Sequence, residues 1–138
     1  MKTRKKKAAK QKAPGAVKRR KPAAVGIKRA YQKAGAADGI RILIDRLWPR
    51  GVSKSQLAID LWPRELAPTT ELRKWYGHEP QRFAEFRRRY RHELAAHSER
   101  LAALRDLIAG RGATLITATR EVDLSHATVL RDMLTKKS

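Results

Sequence analysis

"IRILIDRLW", residues 40–48, decides the fold. Ile40, Ile42 and Ile44 alternate with Arg41, Leu43 and Asp45. One face is strongly apolar and the other mixed, the pattern of a central strand covered on both sides. Pro49 has no N–H for a ladder and Gly51 permits an unusual backbone, so the strand stops before "PRG". A second core strand, "ATLITAT" (113–119), is rich in β-branched residues. A short strand, "GIKRAY" (26–31), precedes them both, followed by the turn-forming "QKAGAADG".

Between and after these strands the apolar period changes to that of helices. Ser53 is placed to cap a short helix over "KSQLA". Thr70 is placed to cap "ELRKWYG" (71–77), in which Leu72, Trp75 and Tyr76 form an inner face and Gly77 is the stop. Pro80 suits a first turn, and Phe83, Phe86, Tyr90 and Leu94 make one stripe of a helix over 80–96. Ser98 precedes a helix over 99–109 with Leu101, Leu104, Leu107 and Ile108 on one side. Ser125 or Asp123 caps a last helix near 126–135. The expected fold is α/β: a small single-domain sandwich with a short sheet, its core strands near 40–48 and 113–119, and helices on one or both faces.

The 138-residue chain suits one domain with one core. It has 33 Lys and Arg against 13 Asp and Glu, a formal charge of +20. Eleven of these cations fall in residues 1–25, which hold no acid, so taking 11 from 20 leaves +9 on residues 26–138. The segment 1–25 has almost no large apolar side chain. It is expected to be a disordered basic tail, with 26–138 as the domain. Lys5, Lys6, Lys7, Lys18, Arg19, Arg20 and Lys21 are its candidate phosphate contacts, which would bind nucleic acid through counterion release without reading sequence. The bland alternative is a solubilising extension.

No cysteine is present, which excludes disulfides and thiolate chemistry. No apolar run reaches the ~18–20 residues of a membrane span, and the N-terminus lacks the apolar segment of a secretory signal. The expected location is the cytoplasm, with the nucleoid as an association through the tail. His78, His92, His97 and His126 lack metal-ligand spacing, and no phosphate loop or dinucleotide fingerprint occurs. No cofactor or metal is expected.

Three constellations can carry chemistry; the weakest is "ELRKWYGH" (71–78) with Arg87 and Tyr90, where His78 can act as acid or base and a C-terminal cap is its structural alternative. The first is Asp45, Arg46, Trp48 and Arg50, at the end of a core strand where α/β sheets place ligands. The arginines can grip a carboxylate or phosphate, and Asp45 can act as a base or hold Arg46. An internal Asp45–Arg46 pair that only pins the loop explains the same residues. The second is the turn "TATREVDLSHA" (117–127), where Arg120, Ser125 and the helix start favour an anion and His126 can act as acid or base. Ordinary capping by Ser125 is its structural alternative. If the two core strands are neighbours, Arg46 or Arg50 faces this turn. Arg87, beside Phe86, is a lesser ligand candidate, able to pair with Glu71 or Asp45.

"DRLWPRGVSK", "IDLWPRELAPTTELRKWYGH", "EFRRRYRHEL" and "TLITAT" with a final helix begun by His126 resemble, in order, the YeaO-like branch of family 488 of domains of unknown function. The resemblance covers about residues 26–135 and not the tail. It implies a compact α/β domain in a bacterial cytoplasm and carries no established activity. That family tends to place a polar, often His-containing loop before the last helix, and broader relatives can place a Cys there. Here Leu124, Ser125 and His126 occupy the loop, so cysteine-dependent chemistry does not carry over.

Three functions remain open on the sequence. One is a small domain that binds an anionic ligand in an arginine-lined pocket and touches nucleic acid through its tail. Another is a hydrolase or transferase acting on a phosphate- or carboxylate-bearing small molecule, with Asp45 or His126 as acid or base. The third is a purely nucleic-acid-associated protein, in which Arg82, Arg87, Arg88, Arg89 and Arg91 join the tail.

Overall fold

The computed structural model describes residues 24–135. Three parallel strands form its sheet: β1 (Val25–Arg29), β2 (Ile40–Leu43) and β3 (Ala113–Thr117). Their spatial order is β1-β3-β2. Val25 pairs with Ala113 and Arg29 with Thr117 on one side of β3, while Ile40 pairs with Ala113 and Leu43 with Ile116 on the other. Five helices follow the chain: α1 (Lys54–Leu57), α2 (Thr70–Tyr76), α3 (Phe83–Ala95), α4 (Ser98–Ile108) and α5 (His126–Thr135). The expected α/β class and the helix positions are borne out.

The central strand is β3, not the 40–48 segment. All five β3 residues are buried, as parallel ladders on both edges require. The outer edge of β2 is covered instead by a turn of its own chain. Leu43 N–H donates to the Leu61 carbonyl at 2.9 Å, and Asp60 N–H to the Arg41 carbonyl at 2.8 Å. The Asp60 carboxylate accepts the Arg41 N–H at 2.9 Å. A half-apolar edge strand covered in this way carries the same alternation as a central one.

Period-2 alternation sends the two faces of the sheet into two cores. Ile42, Ile44 and Leu115 pack under α2 to α5, against Leu72, Tyr76, Phe86, Tyr90, Ile108 and Leu130. Leu43 and Ile116 face the other way, onto Leu57 and the half-buried Trp48, Val52, Ile59 and Trp62. The long helices therefore cover one face, and the 48–62 segment with the single-turn α1 covers the other. Trp48 and Trp62 meet edge to face, 5.6 Å between centroids, a favourable arrangement for ring quadrupoles.

Arg41, on the second face, is 4% exposed. Its Nη1 meets Asp38 at 2.6 Å, and its Nε and Nη2 donate to the Leu57 carbonyl at 3.0 and 2.7 Å. Lys28 Nζ reaches the same carboxylate at 2.8 Å. The Lys28 and Gly35 hydrogen bonds outweigh the opposing effect of burial and, with Arg41, hold the Asp38 carboxyl at about 2. Gly39 follows at φ 67°, and a Cβ there would lie 2.5 Å from the Gly112 carbonyl oxygen. Only glycine lets the chain enter β2 so close to the turn before β3.

Local details depart from the sequence expectation by one or two residues. The cap of α2 is Thr69, not Thr70. Its Oγ1 accepts the Leu72 N–H at 3.2 Å and donates to Glu93 at 2.6 Å. The cap position of α4 is His97, which makes no side-chain cap, and Ser98 is already helical. Ala24 and Val25, assigned to the tail, belong to the domain, since Ala24 accepts the Ala113 N–H at 2.9 Å. Strand β2 ends at Leu43. Ile44 N–H still bonds the Ile116 carbonyl at 3.0 Å, but beyond it the Asp45 side chain replaces the backbone as acceptor.

Candidate functional site

All three strands run the same way, so their carboxyl ends share one edge of the sheet. Tyr31, Asp45, Ala118 and Thr119 stand just past those ends, where parallel sheets offer unpaired backbone and converging loops. They line a cleft of about 360 Å³ together with Arg46, Leu47, Trp48 and Arg50 after β2, Arg73, Tyr76 and His78 from the end of α2, Phe86 from α3, and Ser125 and His126 at the start of α5. That volume is near the lower end of the roughly 300–1,000 Å³ usual for small-molecule sites.

Asp45 is the node of the floor. Its Oδ1 accepts Thr117 Oγ1 at 2.7 Å and meets His126 Nε2 at 2.8 Å. Its Oδ2 accepts the Ala118 N–H at 2.8 Å. Burial pushes this carboxyl upward, but the hydrogen bond and charge of His126, with Ala118 and Thr117, outweigh burial and hold it below the ordinary aspartate value. An ionised carboxylate only accepts, so the proton in the bond lies on Nε2 of His126. The Trp62 indole pins the Asp45 carbonyl at 2.8 Å.

His126 opens α5, behind a capped turn. Ser125 Oγ accepts the Ala127 N–H at 3.1 Å and donates to the Val122 carbonyl at 2.7 Å. Tyr90, fully buried, stands edge-on to the imidazole with centroids 6.4 Å apart. Its hydroxyl donates to the Leu66 carbonyl, and burial drives its ionisation well above the ordinary tyrosine range. Tyr76 stacks on Phe86 at 4.4 Å and donates to the Leu124 carbonyl at 2.5 Å. The wall beside His126 is thus apolar and fixed by hydrogen bonds at both tyrosine tips.

The arginines of the "DRLWPRG" stretch divide. Arg46 is half-buried and donates to the carbonyls of Ala67 at 3.1 Å and Pro68 at 3.3 Å. The Asp45–Arg46 pair, the structural alternative for this stretch, does not form; His126 takes the carboxylate. Arg46 keeps its charge while its donors are used on neutral groups. Arg50 is exposed, and no hydrogen bond or ion pair joins its side chain to a described residue. The same is true of the Arg73 side chain, which the sequence reading missed. Three guanidinium charges line the cleft, and Asp45 is the one acid among its described lining residues.

Arg87 and Arg120 lie outside the cleft. Arg87 is exposed and spans the Phe83 ring at 6.0 Å, pairing with neither Glu71 nor Asp45. Arg120 is exposed past the turn. Ser125 lines the cleft, but its hydroxyl is committed on both sides. His78 lines it too, at φ 58°, in the left-handed region that non-glycine residues rarely adopt. Tyr31 follows from the rule that ligands gather at strand ends. Nothing local to the sequence marks Arg73, which reaches the cleft only because α2 docks beside β2.

Among the described residues no group of His, Asp and Glu could hold a metal ion, and no helix is long and apolar enough to cross a membrane. The seven tail cations named above lie outside the described residues.

The family model described as the inactive DUF488-N3 subclade matches residues 24–138. The chain is 44% identical over 110 residues to the uncharacterised protein Rv3073c of Mycobacterium tuberculosis, covering 80% of this chain and 92% of that one. It is also 44% identical over 107 residues to the uncharacterised protein YeaO of Escherichia coli, covering 78% and 93%. No solved structure matches it.

Proposed function

The chain belongs to the DUF488 family, as a YeaO-like member, and from that premise we propose that it binds a small organic anion in the cleft at the carboxyl ends of its strands. The observation that carries this is the pair of unpartnered guanidinium groups, Arg50 and Arg73, on the exposed part of a cleft whose one carboxylate already accepts three hydrogen bonds. Arginine forks fit carboxylates and phosphates, and a largely apolar lining strengthens their field. Membership of a subclade described as inactive argues against turnover.

The test is a thermal-shift screen of the full chain against carboxylate and phosphate metabolites at low and high salt. A ligand at 100 times its Kd stabilises by about 2.7 kcal/mol, and Arg50→Ala with Arg73→Ala removes that shift. A screen with no salt-sensitive ligand sinks the proposal.

The 2.8 Å Asp45–His126 bond favours a second reading. An imidazole oriented by a carboxylate can serve as a general base in a hydrolase or transferase. That reading requires turnover of a bound phosphate or carboxylate ester, lost in His126→Gln while binding remains.

The tail adds a contact of a different kind. Lys5, Lys6, Lys7, Lys18, Arg19, Arg20 and Lys21 would lie along a nucleic-acid backbone and keep the protein near the nucleoid. Changing all seven to Gln should flatten the slope of log K against log salt on duplex DNA by up to roughly 6. An unchanged slope would transfer the contact to the arginines of α3 or abolish it.

A further inference from the structure

Two polar groups at the cleft have no partner, and together they specify more than an anion. Nε2 of His126 is taken up by Asp45, and Nδ1, the other ring nitrogen, makes no hydrogen bond to a described residue. The second group is Thr119. Its Oγ1 is buried and makes no hydrogen bond to a described residue, a condition that costs free energy and is uncommon in native proteins.

The other hydroxyls of this turn are fully used. Thr117 Oγ1 donates to Asp45 at 2.7 Å and accepts the Thr119 N–H at 3.2 Å. Ser125 Oγ is bonded on both sides. The Thr119 backbone is fixed as well, since its carbonyl accepts Arg29 Nε at 3.0 Å. The hydroxyl alone is uncommitted. Because it makes no hydrogen bond, a turn about the Cα–Cβ bond breaks none.

We propose that the cleft selects an organic anion that carries a hydroxyl group, read jointly by His126 Nδ1 and Thr119 Oγ1, one as donor and the other as acceptor. A hydroxyl is the smallest group that can donate to one and accept from the other. Arg50 and Arg73 hold the charge. The body of the ligand is apolar, because Tyr31, Leu47, Trp48 and Phe86 make up much of the remaining wall. Leu47, 70% exposed, and Tyr31, 52% exposed, stand at the mouth with apolar surface that such a body would cover. The class is a hydroxy acid or hydroxy phosphate with an aromatic or branched substituent. This inference rests on the anion-binding reading and narrows it.

The probes are 3-phenyllactate and 3-phenylpropionate, two aromatic carboxylates that differ by one hydroxyl. Titration of the full chain should give about tenfold tighter binding for phenyllactate. In Thr119→Val, which replaces the unbonded oxygen by a methyl, the Tm without ligand should hold or rise and the two affinities should converge. The nitrogen-15 shift of His126 Nδ1 should move when phenyllactate binds, while that of Nε2, held by Asp45, stays in place.

Equal affinity for both acids in the native chain, abolished by Arg50→Ala with Arg73→Ala, overturns the hydroxyl subsite and leaves the anion site standing. A fall of several degrees in the Tm of Thr119→Val shows a structural bond at that oxygen and also overturns it. If neither acid binds at millimolar concentration, the subsite is wrong and the arginine cleft loses its support with it.

Discussion

Asp45→Asn isolates the node on which the cleft floor rests. The carboxylate accepts three hydrogen bonds, from Thr117, Ala118 and His126, at 2.7 to 2.8 Å. Its side chain is 18% exposed, so water replaces little of what is lost. An amide has one oxygen. With that oxygen in the Oδ1 position, its NH2 group confronts the Ala118 N–H, which is left unbonded. With the amide reversed, the NH2 faces Thr117 and His126, both donors in the native site. Hydrogen bonds to a charged group contribute roughly 1.5–3 kcal/mol each, and a stranded buried donor costs about 1–3 kcal/mol. The expected loss is about 3 kcal/mol, or about 10 °C in Tm for a chain of this size.

The pH dependence has a definite sign. The folded Asp45 carboxyl lies below its unfolded value, near 3.9. Its contribution is therefore fully present above that unfolded value and lost as pH falls through the depressed folded one. The gap between native and Asp45→Asn chains, followed by thermal melts monitored by circular dichroism, should be widest near pH 7. It should begin to close below roughly pH 5. A variant within 2 °C of the native Tm at pH 7, or a gap that stays constant down to pH 3, would refute the assignment of these three donors to a buried charge.

Gly39→Ala should destabilise by more than about 2 kcal/mol in chemical denaturation, since φ is 67° and the new Cβ meets a backbone oxygen at 2.5 Å. Gly51→Ala, also at positive φ (79°) but with nothing within 4 Å, should cost only about 1 kcal/mol, and equal losses would contradict the close approach of Gly39 to Gly112. Thr69→Ala should cost about 1–2 kcal/mol and Thr70→Ala less than about 0.5 kcal/mol by the same measurement; the reverse ranking would move the α2 cap back to Thr70. Tyr90→Phe should lower stability by about 1–2 kcal/mol through the unbonded Leu66 carbonyl, which a neutral result in urea unfolding would disprove.

Much of the cleft's composition is legible in the sequence, and most of its wiring is not. Asp45 stands out because it follows an apolar run and precedes a proline, and His126 because it opens a helix after a capping serine. Both signals are local. That the two meet at 2.8 Å follows from β2 and β3 being neighbours, with Asp45 two residues past Leu43, which pairs with Ile116, and so beside the end of β3 that leads towards His126. The alternative of an Asp45–Arg46 pair fails for a non-local reason. Arg46 finds the carbonyls of Ala67 and Pro68 from a segment some twenty residues away, and the imidazole takes the carboxylate. Arg87 fits the stripe of α3 closely enough to seem inward, but the docking of that helix turns it onto the surface beside Phe83.

Periodicity, capping residues and turn glycines act within a few residues of themselves, so the sequence alone determined the α/β class, the places of the strands and helices, and the resemblance that the family match bears out. Which strand is central, which of two adjacent threonines caps α2, and which charges are paired are choices between locally equal options. Thr69 prevails over Thr70 because Glu93, on another helix, receives its hydroxyl. β3 is central because β1 and β2 both pair with it, while the 60–61 turn covers the outer edge of β2. Arg50 and Arg73 stay unpartnered because no described acid is brought to them. Those outcomes depend on contacts between residues far apart in the chain, and only the tertiary structure decides them.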